Sequence, residues 1–188
     1  MSDAFFFGYG SLVNRRTHDY AEVYPARLAG WRRVWRHTHL RPLAFLSVEP
    51  APQAEIEGLI AAVPRAEWAP LDTREAAYER RALAGGLAHT ATRAVSAAVY
   101  VLPERSLADP GVRHPILLSY LDVVVQGYLQ QFGEPGGARF FATTEGWDAP
   151  VIDDRRAPRY ARTQAIGARE RDVVDAALAA LGVRVIGR

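Results

Sequence analysis

Short apolar blocks broken by proline and glycine fill the first half of the chain, and an apolar repeat at helical spacing replaces them in the second. Residues 4–9, about 26–39, 43–49, 55–63, 79–84 and 93–102 carry the aromatic, β-branched and alternating pattern of strands. Their breaks fall at Pro42, Pro50-Ala51-Pro52, Pro64 and Pro103. Between strands, Ala66, Trp68, Leu71 and Glu75 fit a short helix with Asp72 near its middle, its regularity limited by Pro70. Further on, Ile116, Leu117, Tyr120, Leu121, Val124, Tyr128 and Phe132 recur on one helical face. Pro115 suits a first turn and Gly133 a stop. Pro135-Gly136-Gly137 reads as a loop, and Arg169 to Leu181 as a second amphipathic helix ending at Gly182.

Strands followed by helices predict an α+β fold rather than an alternating parallel sheet. So many short strands leave an edge problem that a closed or nearly closed barrel would remove. The expectation is one domain over 1–188, with a β-barrel core about 4–103 and a helical part about 114–182; no internal repeat or linker interrupts it.

Composition narrows the chemistry. At 188 residues, 49% hydrophobic and 23% charged, the chain suits a core large enough to enclose a pocket. Cysteine is absent, which excludes disulfides, thiolate metal sites and a cysteine nucleophile, and favours a cytoplasmic location. Lysine is absent too: all 23 basic residues are arginine, which excludes a Schiff base, pyridoxal phosphate attachment and a P-loop lysine. The apolar run Ala4 to Phe7 follows Asp3 and is too short for a signal peptide. Asp122, Gln126, Gln130 and Gln131 interrupt the stretch from Ile116 to Phe132, so no membrane span is expected.

The formal charge is only +2, but Arg27, Arg32, Arg33, Arg36 and Arg41 cluster without a carboxylate among them, interleaved with Trp31 and Trp35. Basic residues mixed with aromatics can bind single-stranded nucleic acid. Alternation along a strand instead places Trp31, Arg33, Trp35, His37 and His39 on one face and Arg32, Val34 and Arg36 on the other. A sheet strand with arginine stems over aromatics is the reading adopted, so no nucleic acid partner is expected. His37 and His39 have the spacing of two ligands, but no acidic partner lies nearby in sequence, and no metal is expected.

Two segments carry candidate chemistry. Phe5-Phe6-Phe7-Gly8-Tyr9-Gly10-Ser11-Leu12 is a buried-type strand that runs into a turn whose backbone N–H groups can grip a small anion. Ser11 lacks the G-x-S-x-G context of a nucleophile elbow and reads as a turn hydroxyl. The second segment is Leu71-Asp72-Thr73-Arg74-Glu75-Ala76-Ala77-Tyr78. A Tyr-Gly-Ser-Leu turn followed by Leu-Asp-x-x-Glu resembles the γ-glutamylcyclotransferase superfamily, near its ChaC-like branch, where the Arg-Glu pair recurs. Ser119-Tyr120-Leu121-Asp122 with Gly127, and Phe140-Phe141 through Gly146-Trp147 to Asp154-Arg155 and Pro158-Arg159-Tyr160, are similar to the C-terminal half of bacterial members.

The resemblance implies a mixed β-barrel with flanking helices. It also implies that Tyr9, Gly10, Ser11 and Leu12 bind a γ-glutamyl group, that Glu75 is the catalytic acid/base, and that Tyr120 reaches the substrate pocket. Glu79 is the alternative acid/base, and Asp72 reads as a structural residue capping the helix or pairing with Arg74. Many members place glycine after the catalytic Glu where this chain has Ala76, and the spacing to Tyr78 is one residue short of the ChaC-like pattern. The implied activity is cyclisation of a small γ-glutamyl peptide or amine to 5-oxoproline, without metal or cofactor, by a monomer or small homo-oligomer. A non-catalytic small-ligand-binding protein of the same fold is the alternative.

The implied reaction asks little of a protein, because the α-amino nucleophile and the γ-carbonyl belong to one molecule and ring closure supplies the effective molarity. The pocket should therefore sit at the barrel mouth, with the turn on one side and a partly buried Glu75 of raised pKa on the other.

Overall fold

The computed structural model describes residues 3–187. Strand β1 (Asp3–Gly8) is followed by two short 3-10 turns, then by the long β2 (Val23–His37) and β3 (Ala44–Ala62). Helix α1 (Ala69–Arg74), β4 (Glu79–Ala82), β5 (Leu87–His89), β6 (Val95–Val101) and β7 (Ile116–Leu117) come next. The C-terminal part holds α2 (Leu118–Ala142), β8 (Thr144–Glu145), β9 (Val151–Ile152), α3 (Ala168–Ala180) and β10 (Val185–Ile186).

Seven strands make one mixed sheet in the order β4-β6-β1-β3-β2-β5, with β8 also paired to β2. The β1–β6 and β2–β8 pairs are parallel and the others antiparallel. β10, β9 and β7 form a small parallel sheet of their own. The large sheet is open, so the expected closed barrel is corrected. Its end strands solve the edge problem differently: β4 is Glu-Arg-Arg-Ala and β5 has three residues, and short or charged edges offer little template for further pairing.

Phe5, Phe6 and Phe7 are all buried, which is why β1 lies inside the sheet with apolar cover on both faces. Phe5 and Phe7 join the larger core with Trp35, Leu46, Ile60, Tyr128 and Phe140. Phe6 points the other way into a second cluster with Leu12, Ala61, Val63, Leu71 and Tyr100. Leu71 is the buried residue of α1, so this second cluster seats the helix beside the turn that follows β1. Full burial of such a side chain contributes about 1.5–3 kcal/mol.

Two prolines mislead the strand boundaries. β3 continues through Pro50-Ala51-Pro52, where a break is predicted. Its pairing with β2 jumps from Ala29↔Glu55 to Trp31↔Pro50, so residues 51–54 stand opposite Gly30 alone. Pro52 lies in that unpaired excursion, where a missing N–H costs no ladder bond, and Gly30 takes the positive φ of 81° that the irregularity requires.

The helices differ in detail as well. Pro115 precedes β7 and lies outside the first turn of α2. Gly133 does interrupt α2, at φ 67° and ψ −169°, but the chain resumes helically at once. The predicted loop at Pro135-Gly136-Gly137 is therefore helix, with Pro135 in the first turn after the break, where a missing N–H is tolerated. Gly127 packs against the turn after β1: a Cβ there would stand 2.6 Å from the Asn14 nitrogen.

The centre of the basic stretch, Arg32 to Arg36, is tied into the fold. Arg33 is buried; its Nε donates to Thr144 Oγ1 at 3.0 Å and its Nη1 to Tyr128 Oη at 2.7 Å and to the Glu57 carbonyl at 2.9 Å. Its guanidinium lies over the Tyr128 and Phe140 rings. Burial lowers its pKa from the ordinary arginine value. Arg32 and Arg36 both pair with Glu49. His37 Nδ1 accepts from the His114 backbone at 3.0 Å. Among the described residues, no helix is long and apolar enough to cross a membrane.

Candidate active site

The turn after β1 is fixed by its neighbours. Val13 N donates to the Gly10 carbonyl at 2.9 Å and Asn14 N to the Ser11 carbonyl at 3.1 Å, closing a 3-10 turn over Ser11–Val13. The buried Asn14 side chain donates 2.9 Å bonds to the Val123 carbonyl and Gln126 Oε1, tying the turn to α2. Tyr9 is a strut: its hydroxyl donates to the Tyr100 carbonyl at 2.7 Å, and its own carbonyl accepts from Tyr128 Oη at 2.9 Å.

The glycines serve close packing. Neither Gly8 nor Gly10 has positive φ. A Cβ on residue 8 would meet the Leu12 Cβ at 2.7 Å, and one on residue 10 would meet the Tyr120 hydroxyl at the same distance. The Tyr120 hydroxyl faces the turn, where the Ser11 backbone works against the rise in its pKa that burial causes. Tyr120 itself is held edge-on between Trp35 and Tyr160. Its side chain on α2 thus lies against the turn at Gly10.

Glu75 caps the C-terminus of α1, its N–H donating to the Leu71 carbonyl. It and Ser11 line one cavity of about 430 Å³, together with Arg74, Tyr78, Tyr120 and Tyr160 among others. A smaller niche of about 30 Å³ shares Ser11, Glu75, Tyr78 and Tyr120 with it and is also lined by Tyr9, Gly10 and Leu12. The two motifs recognised in the sequence therefore converge on one space.

Arg74 joins them. Its Nη1 donates to the Thr17 carbonyl at 2.7 Å, and its Nη2 to Thr17 Oγ1 at 3.1 Å and Ser11 Oγ at 3.4 Å. Its Nε donates to Glu75 Oε1 at 3.1 Å. Burial raises the Glu75 pKa above the ordinary carboxylate value, and the cations of Arg74 and Arg162 oppose that rise without cancelling it. Tyr9, Tyr78 and Tyr120 are pushed well above the usual phenol range by burial, so they stay neutral.

The remaining sequence candidates lie elsewhere. Glu79 sits on β4, pairs with Arg105 and Arg81, and lines a separate groove with Trp68, Asp72 and Arg80. Asp72 accepts from Tyr100 Oη at 2.6 Å and pairs with Arg80 at 3.2 Å, so its expected pairing with Arg74 is corrected. Arg41, Arg159, Tyr160 and Arg162, which line the cavity, carry no motif of their own. Their signal in the sequence is limited to membership of a basic stretch and of the Pro158-Arg159-Tyr160 segment.

This geometry has a family. The chain belongs to the family described as Gamma-glutamyl cyclotransferase, AIG2-like, whose model matches residues 6–118. That span holds the turn and Glu75 and ends before Tyr120. The fold is similar to that of an uncharacterized protein from Homo sapiens, with 12% identity, coverage of 93% of this chain and 99% of the other, and a TM-score of 0.58. It is equally similar to a structure described as gamma-glutamyl cyclotransferase, with 13% identity, 92% and 98% coverage and a TM-score of 0.58. No curated protein matches the chain. The family supports a cyclotransferase-like function.

Proposed function

We propose that the protein cyclises the γ-glutamyl group of a small γ-glutamyl peptide or amine to 5-oxoproline and releases the amine. The observation that carries this reading is the shared cavity, where the shielded Glu75 carboxyl faces the same space as Ser11 and the Tyr120 hydroxyl. The Tyr9 to Leu12 turn holds the glutamyl α-carboxylate through its backbone N–H groups and folds the chain for attack.

Glu75, ionised, takes a proton from the α-ammonium, and the freed nitrogen attacks the γ-carbonyl carbon as the lactam C–N bond forms. Glu75 then returns the proton to the departing nitrogen as the original amide C–N bond breaks. A raised pKa suits a group that must both accept and give a proton near neutral pH. The nitrogen that becomes the lactam loses two protons overall and the released amine gains two, so the reaction has no net proton demand at neutral pH.

A coupled assay for 5-oxoproline over a panel of γ-glutamyl compounds tests the proposal. Release from at least one compound is expected. A protein that binds γ-glutamyl compounds but releases none would instead be a ligand-binding member of the same fold.

A further inference from the structure

The mouth of the cavity carries more positive charge than the reaction itself requires. Four arginines and one carboxylate, Glu75, are among its lining residues. Arg74 is spent on Glu75 and the turn. Arg41, Arg159 and Arg162 are exposed, and among the described residues no carboxylate forms an ion pair with any of them. Many other arginines in the molecule do pair, including Arg32, Arg36, Arg105, Arg139 and Arg155.

Two of these cations come from an anchored segment. The buried Asp154 accepts from Ser119 N at 2.8 Å, Ser119 Oγ at 2.6 Å and Arg159 N at 2.9 Å. Arg155 grips Asp122 with two bonds of 2.7 and 2.8 Å. Tyr160 packs on Tyr120 with ring centroids 5.0 Å apart. From across the mouth, Arg41 rests its guanidinium over the Phe45 ring at 4.3 Å. Exposed guanidinium groups carried on an anchored segment and without a carboxylate partner are suited to a carboxylate from outside.

We infer that Arg41, Arg159 and Arg162 form a subsite for a carboxylate on the leaving group. The inference rests on the cyclotransferase reading, which places the glutamyl end beside Ser11 and the departing amine toward the mouth. The preferred substrates are then γ-glutamyl amides of amino acids or peptides, in preference to those of uncharged amines. Arg41 lies within the residues matched by the family model, and the segment that supplies Arg159 and Arg162 lies beyond them.

The test compares γ-glutamylglycine with γ-glutamylglycinamide, which differ only in the terminal carboxylate. kcat/KM for 5-oxoproline release should favour γ-glutamylglycine by about tenfold or more, the range expected for a bond to a charged partner. That ratio should fall toward one in the Arg159→Gln/Arg162→Gln double variant and with added salt, with thermal melting checking that the variant folds. Equal kcat/KM for the two compounds, or a ratio that the double variant leaves intact, would overturn the subsite. Calorimetric binding of the same two compounds to the wild-type protein separates the two ideas. Tighter binding of γ-glutamylglycine without any 5-oxoproline release keeps the subsite and removes the cyclotransferase reading. Equal affinity without release removes both.

Discussion

Arg74 and Glu75, neighbours at the end of one short helix, form an ion pair at 3.1 Å with only 10% and 17% of their side chains exposed. The same guanidinium also holds the Ser11 hydroxyl and the Thr17 carbonyl. The proposed acid/base group and the proposed substrate-binding turn therefore share one cation, and a shift in either is felt by the other.

That sharing has a pH signature. Burial raises the Glu75 pKa, and Arg74 is the first of the influences that restrain it. Arg74→Gln removes the restraint and should move the acid limb of the kcat/KM profile to higher pH, because Glu75 must be ionised to accept the ammonium proton. pH–rate profiles of the two proteins check the direction. An acid limb that stayed in place or moved to lower pH would contradict the electrostatic account.

Stability should respond with the opposite sign from an ordinary salt-bridged carboxylate. With its folded pKa raised, Glu75 binds its proton more tightly in the folded than in the unfolded state. Its contribution to stability is then full below the ordinary carboxylate value and declines as pH rises through the raised one. Glu75→Gln should melt no lower than wild type at pH 7, and lose any advantage below the ordinary carboxylate range. Thermal melts at the two pH values measure this; a neutral-pH loss that disappears in acid would reverse the sign.

Gly10 and Tyr120 should behave as a coupled pair. Gly10→Ala brings a Cβ to 2.7 Å from the Tyr120 hydroxyl, while the next ring atom stands at 3.9 Å. Removing the hydroxyl with Tyr120→Phe makes room for the methyl. The double variant should recover much of the stability that Gly10→Ala loses, with an interaction of about 0.5–3 kcal/mol in a double-mutant cycle. Strict additivity in denaturant melts would mean that the contact is not felt.

The parts of the fold governed by local rules were legible beforehand. A triple-phenylalanine strand had to be buried, and the spacing from Leu71 to Glu75 placed a carboxyl at a helix end. The departures come from long-range compensation. A single residue, Gly30, stands opposite the excursion at residues 51–54, and the sheet ends in a charged strand and a three-residue strand where closure was expected. Gly133 stops a helix that then restarts, which no local pattern distinguishes from a stop followed by a loop. In the site, the turn and Glu75 stood out because each lies in a compact motif. Arg41, Arg159 and Arg162 did not, since residues far apart in sequence meet only through the packing of Tyr160 on Tyr120 and the anchoring of Asp154.

The central claim is that Glu75 moves the protons, and 5-oxoproline release by Glu75→Gln from an accepted γ-glutamyl substrate tests it most directly. Glutamine keeps the size and much of the hydrogen bonding but cannot relay a proton. Acid/base groups contribute on the order of a hundredfold to ten-thousandfold in rate, and loss of both proton steps should fall toward the upper end. Glu79→Gln, in the separate groove and paired with Arg105, should retain most of the wild-type rate. A folded Glu75→Gln protein that kept more than about a tenth of wild-type turnover would contradict the account.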